Sequence, residues 1–400
     1  MDTRSHTILA ARPDNPLPFL TVASLAFLFA ANTLDMGGAM GLKYASYIPA
    51  AILGGIGLGR VRLDLRAANR LLFLFLAYPF FAFFLGIAAG SDPLLAASQI
   101  TPFFPAVLLF AFLLQLEPGD VRPYRIFCWS VFSLSLVVIV IFPLLLWFPD
   151  RAPVAHLLEA LSSPRIGFFG TRKTGELDLP GTYFRATLFL VPAFAYFHLT
   201  GRKAAAWLSF LGLALSLSRA GILLCVALYA GNAMHRGKFA PMLGAVAGAA
   251  AVHFLFPDLA RYALEAFSLK GETTQVRLRH LDSLLTLFDE NPLRLLFGQG
   301  AGAEFFSAGA GAEVANIEID HFNAIRKFGL IWFLPFLYLL IRTATKLIGG
   351  GTPEKSAIGV SLVLMFLAAG TNPVFVSPLF FLAFVAALHA AQEEPTVRLR

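Results

Sequence analysis

The stretch from Pro257 to Ile341 decides how this chain is read. It runs as a polar excursion to Glu318-Ile319-Asp320-His321 and then directly into an apolar helix at Gly329. An excursion this long is more than a turn between two membrane-grade segments. Chemistry on an amphiphilic substrate is the work expected of it.

The rest of the chain is too apolar to be soluble. Hydrophobic residues make up 58% and charged residues 14% of the 400 positions, and the mean hydropathy is +0.72. A soluble domain holds about 45–50% apolar and about 25% charged residues. An all-α polytopic membrane protein is expected, with the lipid bilayer as its first partner. The net charge is +7, but the basic residues are scattered through short loops, so nucleic acid is not an expected partner. Cys128 and Cys225 lie in apolar segments and imply neither a disulfide framework nor a metal site. The polar residues 1–16 precede an apolar run without a small-x-small cleavage site, which reads as a retained anchor.

Segments apolar enough to span a bilayer fall near 17–33, 44–59, 71–88, 94–115, 126–148, 183–199, 204–217, 220–234, 240–256, 322–341, 357–370 and 374–390. About twelve transmembrane helices are therefore expected. The short loops carrying Arg60, Arg62, Arg66, Arg70, Arg122, Arg125, Arg202, Lys203, Arg236, Lys238, Arg342, Lys346 and Lys355 all fall on one side if both termini are cytoplasmic. The loops 149–182 and 257–321 then face outward. This divides the chain into 1–256, with nine helices and an outer loop at 149–182; 257–321, a large periplasmic loop; and 322–400, with three helices and a cytoplasmic tail. In the large loop, Thr273 or Thr274 can cap a helix whose apolar face is Leu278, Leu281, Leu285 and Phe288 and which ends at Asn291-Pro292. Arg277, Arg279, His280, Asp282 and Asp289 occupy its other faces, and the helix lies along the bilayer or roofs a cavity.

Three places could carry chemistry. Arg219 sits inside the apolar run Ala204–Met234, which has basic residues at both ends. The run must go out and come back, so Arg219 stands at the outer turn of a short hairpin. There its planar fork suits phosphate oxygens, unless it merely snorkels to headgroups. Arg185 opens the sixth span at the outer face, preceded by Arg172 and Lys173, which read as solvated or lipid-facing. Arg219 and Arg185 could form a diphosphate clamp. Before the tenth span, Glu318 and Asp320 share a face if the stretch is extended, and Glu318 and His321 share one if it is helical. Either pairing offers a general base; the plainer alternative is a polar helix cap. No further His stands at metal-site spacing, so no metal is expected. The glycines of Gly298-Gln299-Gly300-Ala301-Gly302 read as a flexible turn rather than a nucleotide loop.

Three stretches resemble the O-antigen ligase and polymerase superfamily. Ser216-Leu217-Ser218-Arg219-Ala220-Gly221 is similar to its apolar S-R-G/A turn. Arg277 through Gly302 looks like its arginine-to-glycine-rich segment, and Glu318 through Ile331 resembles the start of its late helix. The likeness covers roughly residues 165–341. It implies a GT-C-like fold in the bacterial inner membrane and an inverting, metal-independent glycosyl transfer at the periplasmic face, without a cofactor. The donor would be a glycan on undecaprenyl diphosphate, its diphosphate met by Arg219, Arg185 and Arg277. Glu318 or His321, with Asp320 beside them, would take the acceptor's proton. The form Glu318-x-Asp320-x-x-Asn323 looks closer to polymerases, whose acceptor is another lipid-linked glycan, than to ligases, whose acceptor is lipid A-core or protein. Ligases tend to carry a histidine where Glu318 stands. Trp332 also replaces the second glycine of the usual G-x-x-G. A transporter and a structural membrane subunit are the rival classes. A transporter would show an internal repeat, which the twelve segments lack, and a structural subunit would show no focused charge.

Overall fold

A computed structural model describes residues 17–58, 65–148, 151–161, 166–174, 177–237 and 272–392. Helices α1 (Leu17–Leu34) and α2 (Leu42–Leu58) open the chain. Helix α3 (Leu65–Leu72) passes through a π-helical turn, Phe73–Ala77, into α4 (Tyr78–Ala88), and α5 (Pro93–Ile100) passes through a short 3-10 turn into α6 (Phe104–Leu113). After α7 (Arg122–Trp147) come α8 (Ala152–Leu161) and the antiparallel hairpin β1 (Gly167–Thr174) and β2 (Leu177–Phe184). Helices α9 (Leu190–Leu199), α10 (Lys203–Leu215) and α11 (Arg219–His235) follow. Beyond the segment 238–271 stand α12 (Glu272–Glu290), α13 (Pro292–Phe297), the hairpin β3 (Phe305–Ser307) and β4 (Ala312–Val314), and then α14 (Asp320–Ile348), α15 (Pro353–Ala369) and α16 (Pro378–Ala390).

Among the described residues, four helical stretches are long and apolar enough to cross a membrane: Asn69–Ala88, Pro93–Leu113, Arg122–Trp147 and Asp320–Ile348. Shorter apolar helices stand at Phe19–Leu34, Thr187–Leu199, Lys203–Leu215 and Pro378–Ala390. Large apolar side chains such as Phe19, Leu94 and Trp147 are 78%, 81% and 69% exposed, a surface suited to lipid rather than water. These features mark a helical membrane protein. The expected sixth segment begins later than residue 183, because Leu177–Phe184 pairs as a strand. The expected ninth segment, 240–256, lies outside the described residues.

The core is centred on α16. Every residue from Pro378 to Ala387 is buried, so the helix is apolar all round, as a central helix must be. Ser377 caps its start by accepting from the Phe380 amide, and Pro378 supplies the preset first turn. Phe75, Phe103, Trp332, Phe336, Phe375 and Phe381 interlock around it with ring centroids 4.6–6.4 Å apart. Trp332 stacks on Phe336 at 5.1 Å and donates its indole N–H to the Leu74 carbonyl at 2.9 Å, within the π-helical turn. Trp332 is thus a packing anchor, whose one polar atom meets a carbonyl of a locally widened helix.

The contacts distinguish two ends of the bundle. At one end Gly119 donates to the His389 carbonyl, and Arg125 binds Glu354 at 2.8 Å. At the other end gather the turn 216–218, the hairpin β1–β2, the segment 272–320 and the loop 370–377. Thr182 donates to the Leu215 carbonyl there, and the Phe375 amide donates to Asp320.

The glycine-rich segment 298–302 is not a flexible turn. It is wedged into the bundle by close backbone approach. A Cβ on Gly300 would stand 2.3 Å from the Gly86 nitrogen, and one on Gly86 would stand 1.9 Å from the Ala301 carbonyl oxygen. Gln299 N–H donates to the Arg326 carbonyl at 2.6 Å, Ala301 N–H to the Ala82 carbonyl at 2.8 Å, and Gly302 N–H to Gln99 Oε1 at 2.8 Å. The positive φ of Gly300, 94°, adds to the demand for glycine. At the facing position Gly329, with φ 69°, breaks the α14 geometry, and its missing Cβ makes room for the Leu296 carbonyl.

Arg326 locks this arrangement. The side chain is fully buried. It donates five hydrogen bonds: two to Asn323 Oδ1 (3.1 and 3.4 Å) and one each to Gln299 Oε1 (2.9 Å), the Ala303 carbonyl (2.8 Å) and the Ala315 carbonyl (2.7 Å). Its guanidinium lies over the Phe305 ring at 4.7 Å. Under α12, Leu284, Phe288, Phe305 and Ile317 form a second small core. Its make-up corrects the expected apolar face of α12. His280 and Leu284 are buried, whereas Leu278 and Leu285 are 46% and 55% exposed. The helix carries apolar residues on two sides, and the buried side is the one that contains a histidine. The helix also starts at Glu272, so Thr273 and Thr274 lie inside it rather than capping it.

Replacing Arg326 with Met should cost on the order of 3 kcal/mol or more, because it leaves several buried acceptors unsatisfied at once. Thermal unfolding in detergent should show a lowered midpoint and limited proteolysis a cut within 297–317; an unchanged midpoint and protease pattern would refute the locking role.

Candidate functional site

The polar cluster at the loop-rich end is built by three elements. Helix α12 presents Arg277, the stretch before α14 presents Glu318, and the α15–α16 loop presents the Thr371 carbonyl. Arg277 Nε and Nη2 both donate to Glu318 Oε2, at 3.1 and 2.9 Å, and Nη2 also reaches the Thr371 carbonyl at 3.2 Å. Glu318 is 50% exposed and Arg277 35%, so a solute reaches both groups. Screening keeps the energy of such an ion pair small; its interest lies in placing an accessible carboxylate against an accessible guanidinium.

Three residues along from Arg277, on the same side of α12, His280 is buried and its Nδ1 pairs with Ser307 Oγ. Burial lowers the proton affinity of this imidazole, and the charge of Glu318 acts in the opposite sense. Gly309 leaves the room, since a Cβ there would meet the His280 ring.

Asp320 does not converge with Glu318. The helix begins at Asp320, which turns its carboxylate inward to the Phe375 amide and, at 3.4 Å, the Val376 amide. It is 3% exposed and clips the start of α14 to the loop before α16. His321 does not share a helical face with Glu318, which lies outside the helix. Its ring stacks on Phe366 at 4.2 Å, meets the edge of Phe375 at 5.1 Å, and lies against Gly370. Among the described residues, its Nε2 is buried without a hydrogen-bond partner.

The hairpin expected around Arg219 is present. Helix α10 ends at Leu215, α11 begins at Arg219, and the turn between them holds Leu217 at φ 55°. It is the one non-glycine residue with positive φ among the described residues, a conformation costing about 1–2 kcal/mol. The strained turn sets a half-buried Arg219 at the first position of α11. Arg185, which is exposed, follows β2 directly, and its amide donates to the Ile166 carbonyl at 3.0 Å. The Thr182–Leu215 bond of 3.1 Å ties the β-hairpin to the α10–α11 turn, so Arg185 and Arg219 belong to one locality. Arg172 and Lys173 lie in β1 opposite Leu179 and Asp178.

Arg326 and Lys327 belong to the buried polar network and are not among the sequence-predicted site residues. Lys327 is 4% exposed and donates to Asn316 Oδ1. The signal was present in the sequence: two adjacent cations just before Gly329 in an apolar segment. A charge in such a place is functional or structural by default. Among the described residues, no group of three or more His, Cys, Asp and Glu is placed to hold a metal ion. No protein-family model matches the chain, and no curated protein matches it.

The His280 environment gives a pH dependence with a definite sign. A lowered folded-state proton affinity means the unfolded chain binds the proton better, so stability falls as pH drops below the ordinary histidine value of about 6.5. The opening free energy of α12, from hydrogen exchange corrected for the intrinsic rate at each pH, should fall on acidification from neutral pH, and the His280→Gln variant should lose that dependence. Equal pH profiles for the two proteins would refute the assignment.

Proposed function

We propose that the chain is a multi-pass glycosyltransferase similar to the O-antigen ligase and polymerase superfamily, acting as a glycan polymerase at the periplasmic face of a bacterial inner membrane. In this reading about twelve helices cross the bilayer in a GT-C-like arrangement, and the end holding Glu318 faces outward. The observation that carries the proposal is the accessible Arg277–Glu318 pair, in the same end of the bundle as Arg219 and Arg185.

The donor is a glycan linked to undecaprenyl diphosphate, and the acceptor is a second lipid-linked glycan. The donor diphosphate competes with Glu318 for the Arg277 fork, since a phosphate takes two parallel N–H bonds as a carboxylate does. Binding therefore frees Glu318 as the charge of the leaving group is neutralised. Glu318 then takes the proton of the acceptor hydroxyl as that oxygen attacks the anomeric carbon. The bond from that carbon to the diphosphate oxygen breaks on the opposite face, with inversion, and undecaprenyl diphosphate leaves with the electron pair. Arg219, Arg185 and Arg277 stabilise the developing negative charge. Asp320 holds the α14 start in place, and His321 packs the floor behind it.

The test is the glycan profile of cells lacking this protein, complemented with single variants at matched expression. Glu318→Gln should reduce long chains by about 10²-fold or more, the usual worth of a general base. Arg219→Lys should impair polymerisation although the charge is kept, because the fork is lost. His321→Phe, which keeps the stack on Phe366, should retain activity. Normal chains from Glu318→Gln would overturn the reading, and long lipid-linked chains accumulating beside a bare lipid A-core would make the protein a ligase.

A further inference from the structure

A second feature at the same end of the molecule lies on the far side of the glycine-rich segment. Between the α4–α5 turn and the segment 291–304 there is a cavity of about 780 Å³. Its wall carries two carboxylates, Asp92 and Glu304, two carboxamides, Asn291 and Gln299, and two phenyl rings, Phe81 and Phe297, with centroids 6.4 Å apart. Phe81 and Phe297 are 44% and 40% exposed. The guanidinium of Arg294 is offset by Glu290 at 3.8 Å, so the lining carries no surplus of positive charge.

We propose that this groove binds a polyhydroxylated chain, the sugar portion of the growing glycan, away from the reacting end. The inference rests on the glycosyl-transfer reading above. Carboxylates and carboxamides are the groups that accept and donate to vicinal hydroxyls, and exposed phenyl rings offer apolar faces to the C–H faces of a sugar ring. The two carboxylates disfavour a phosphate-bearing ligand, so the diphosphate end of a substrate belongs at the arginines and not here. The wall is rigid. Gln299 is held by Arg326 through its oxygen at 2.9 Å, and Gly302 is held by Gln99 at 2.8 Å. Helix α12 sets the spacing. Arg277 lies in its second turn and Asn291 just past its end, fourteen residues apart, or about 21 Å at 1.5 Å per residue. A site at that distance acts on a chain already several sugars long and leaves the first transfer alone.

The experiment blocks the groove without unfolding the protein. Ala89 lines it and is exposed, while Cys128 and Cys225 are buried. In cells producing Ala89→Cys, a bulky membrane-impermeant maleimide therefore reacts at position 89, and the same cells without reagent are the control. The product profile is read for chain length. The expected result is retention of short products with long chains reduced on the order of tenfold, the effect of losing one or more charged hydrogen bonds. An unchanged length distribution in labelled cells, while untreated cells polymerise, overturns the groove but leaves the transferase reading intact. Loss of short and long products together makes the groove part of the reacting centre and overturns the distal role. If cells lacking the protein already show a normal profile, the transferase reading fails, and the groove proposal fails with it.

Discussion

The structure depends on one buried cation. Arg326 is surrounded by protein on every side, and its partners are neutral: two side-chain amides and two main-chain carbonyls. A buried charge costs several kcal/mol unless its hydrogen bonds are met. Here every acceptor belongs to a stretch that would otherwise be loose. Gln299 and Ala303 lie in and just beyond the glycine-rich segment, Ala315 in the approach to Glu318, and Asn323 in the first turn of α14. None of these can leave without stranding the guanidinium, so the whole loop is fixed relative to the membrane helices by one side chain. The glycines make the approach possible and Arg326 makes it obligatory.

That constraint explains why the candidate site is on irregular backbone and is still well placed. Glu318 lies two residues before the start of α14 and eight before Arg326. It is gripped from one side by Arg277 of α12, which also donates to the Thr371 carbonyl of another loop. The small core of Leu284, Phe288, Phe305 and Ile317 sets the height of α12, and the Asp320 clip to the Phe375 amide sets the position of the α15–α16 loop. Three elements meet at an accessible ion pair, each anchored by a buried contact of its own. This is the division of labour expected of a site that binds and releases: rigid support underneath, modest exposed interactions on top.

Much of this was legible in the chain. Hydropathy locates the apolar helices of the bundle, though not α8 within the expected outer loop 149–182, and the basic residues on both sides of Ala204–Met234 require the α10–α11 turn and put Arg219 on it. Proline and glycine punctuation marks the breaks well, as at Asn291-Pro292, where Asn291 caps the next helix by accepting from Leu293. Two things were hidden for physical reasons. Glycine has two uses, freedom and close approach, and sequence cannot tell them apart; at 298–302 the second applies, because the partner is the backbone of Gly86, more than two hundred residues away. Helix α12 misleads because its leucines lie on two faces. The buried face is chosen by the one polar group with an interior partner, His280 with Ser307, and that partner is supplied by β3.

In the proposed glycosyl transfer, the pairing of Glu318 with Arg277 would also keep the site from idle chemistry. A lone carboxylate at a membrane surface is always free to take a proton. Here the resting carboxylate is held by the same fork that an incoming phosphate would seek. Because the pair is 35% and 50% exposed, its attraction is screened, and the proposed diphosphate would displace it. A buried pair would resist that exchange, since removing one partner leaves an uncompensated charge. The arrangement therefore favours an ion pair at the surface and a fully satisfied cation below it: Arg277 can change partners because Arg326 cannot.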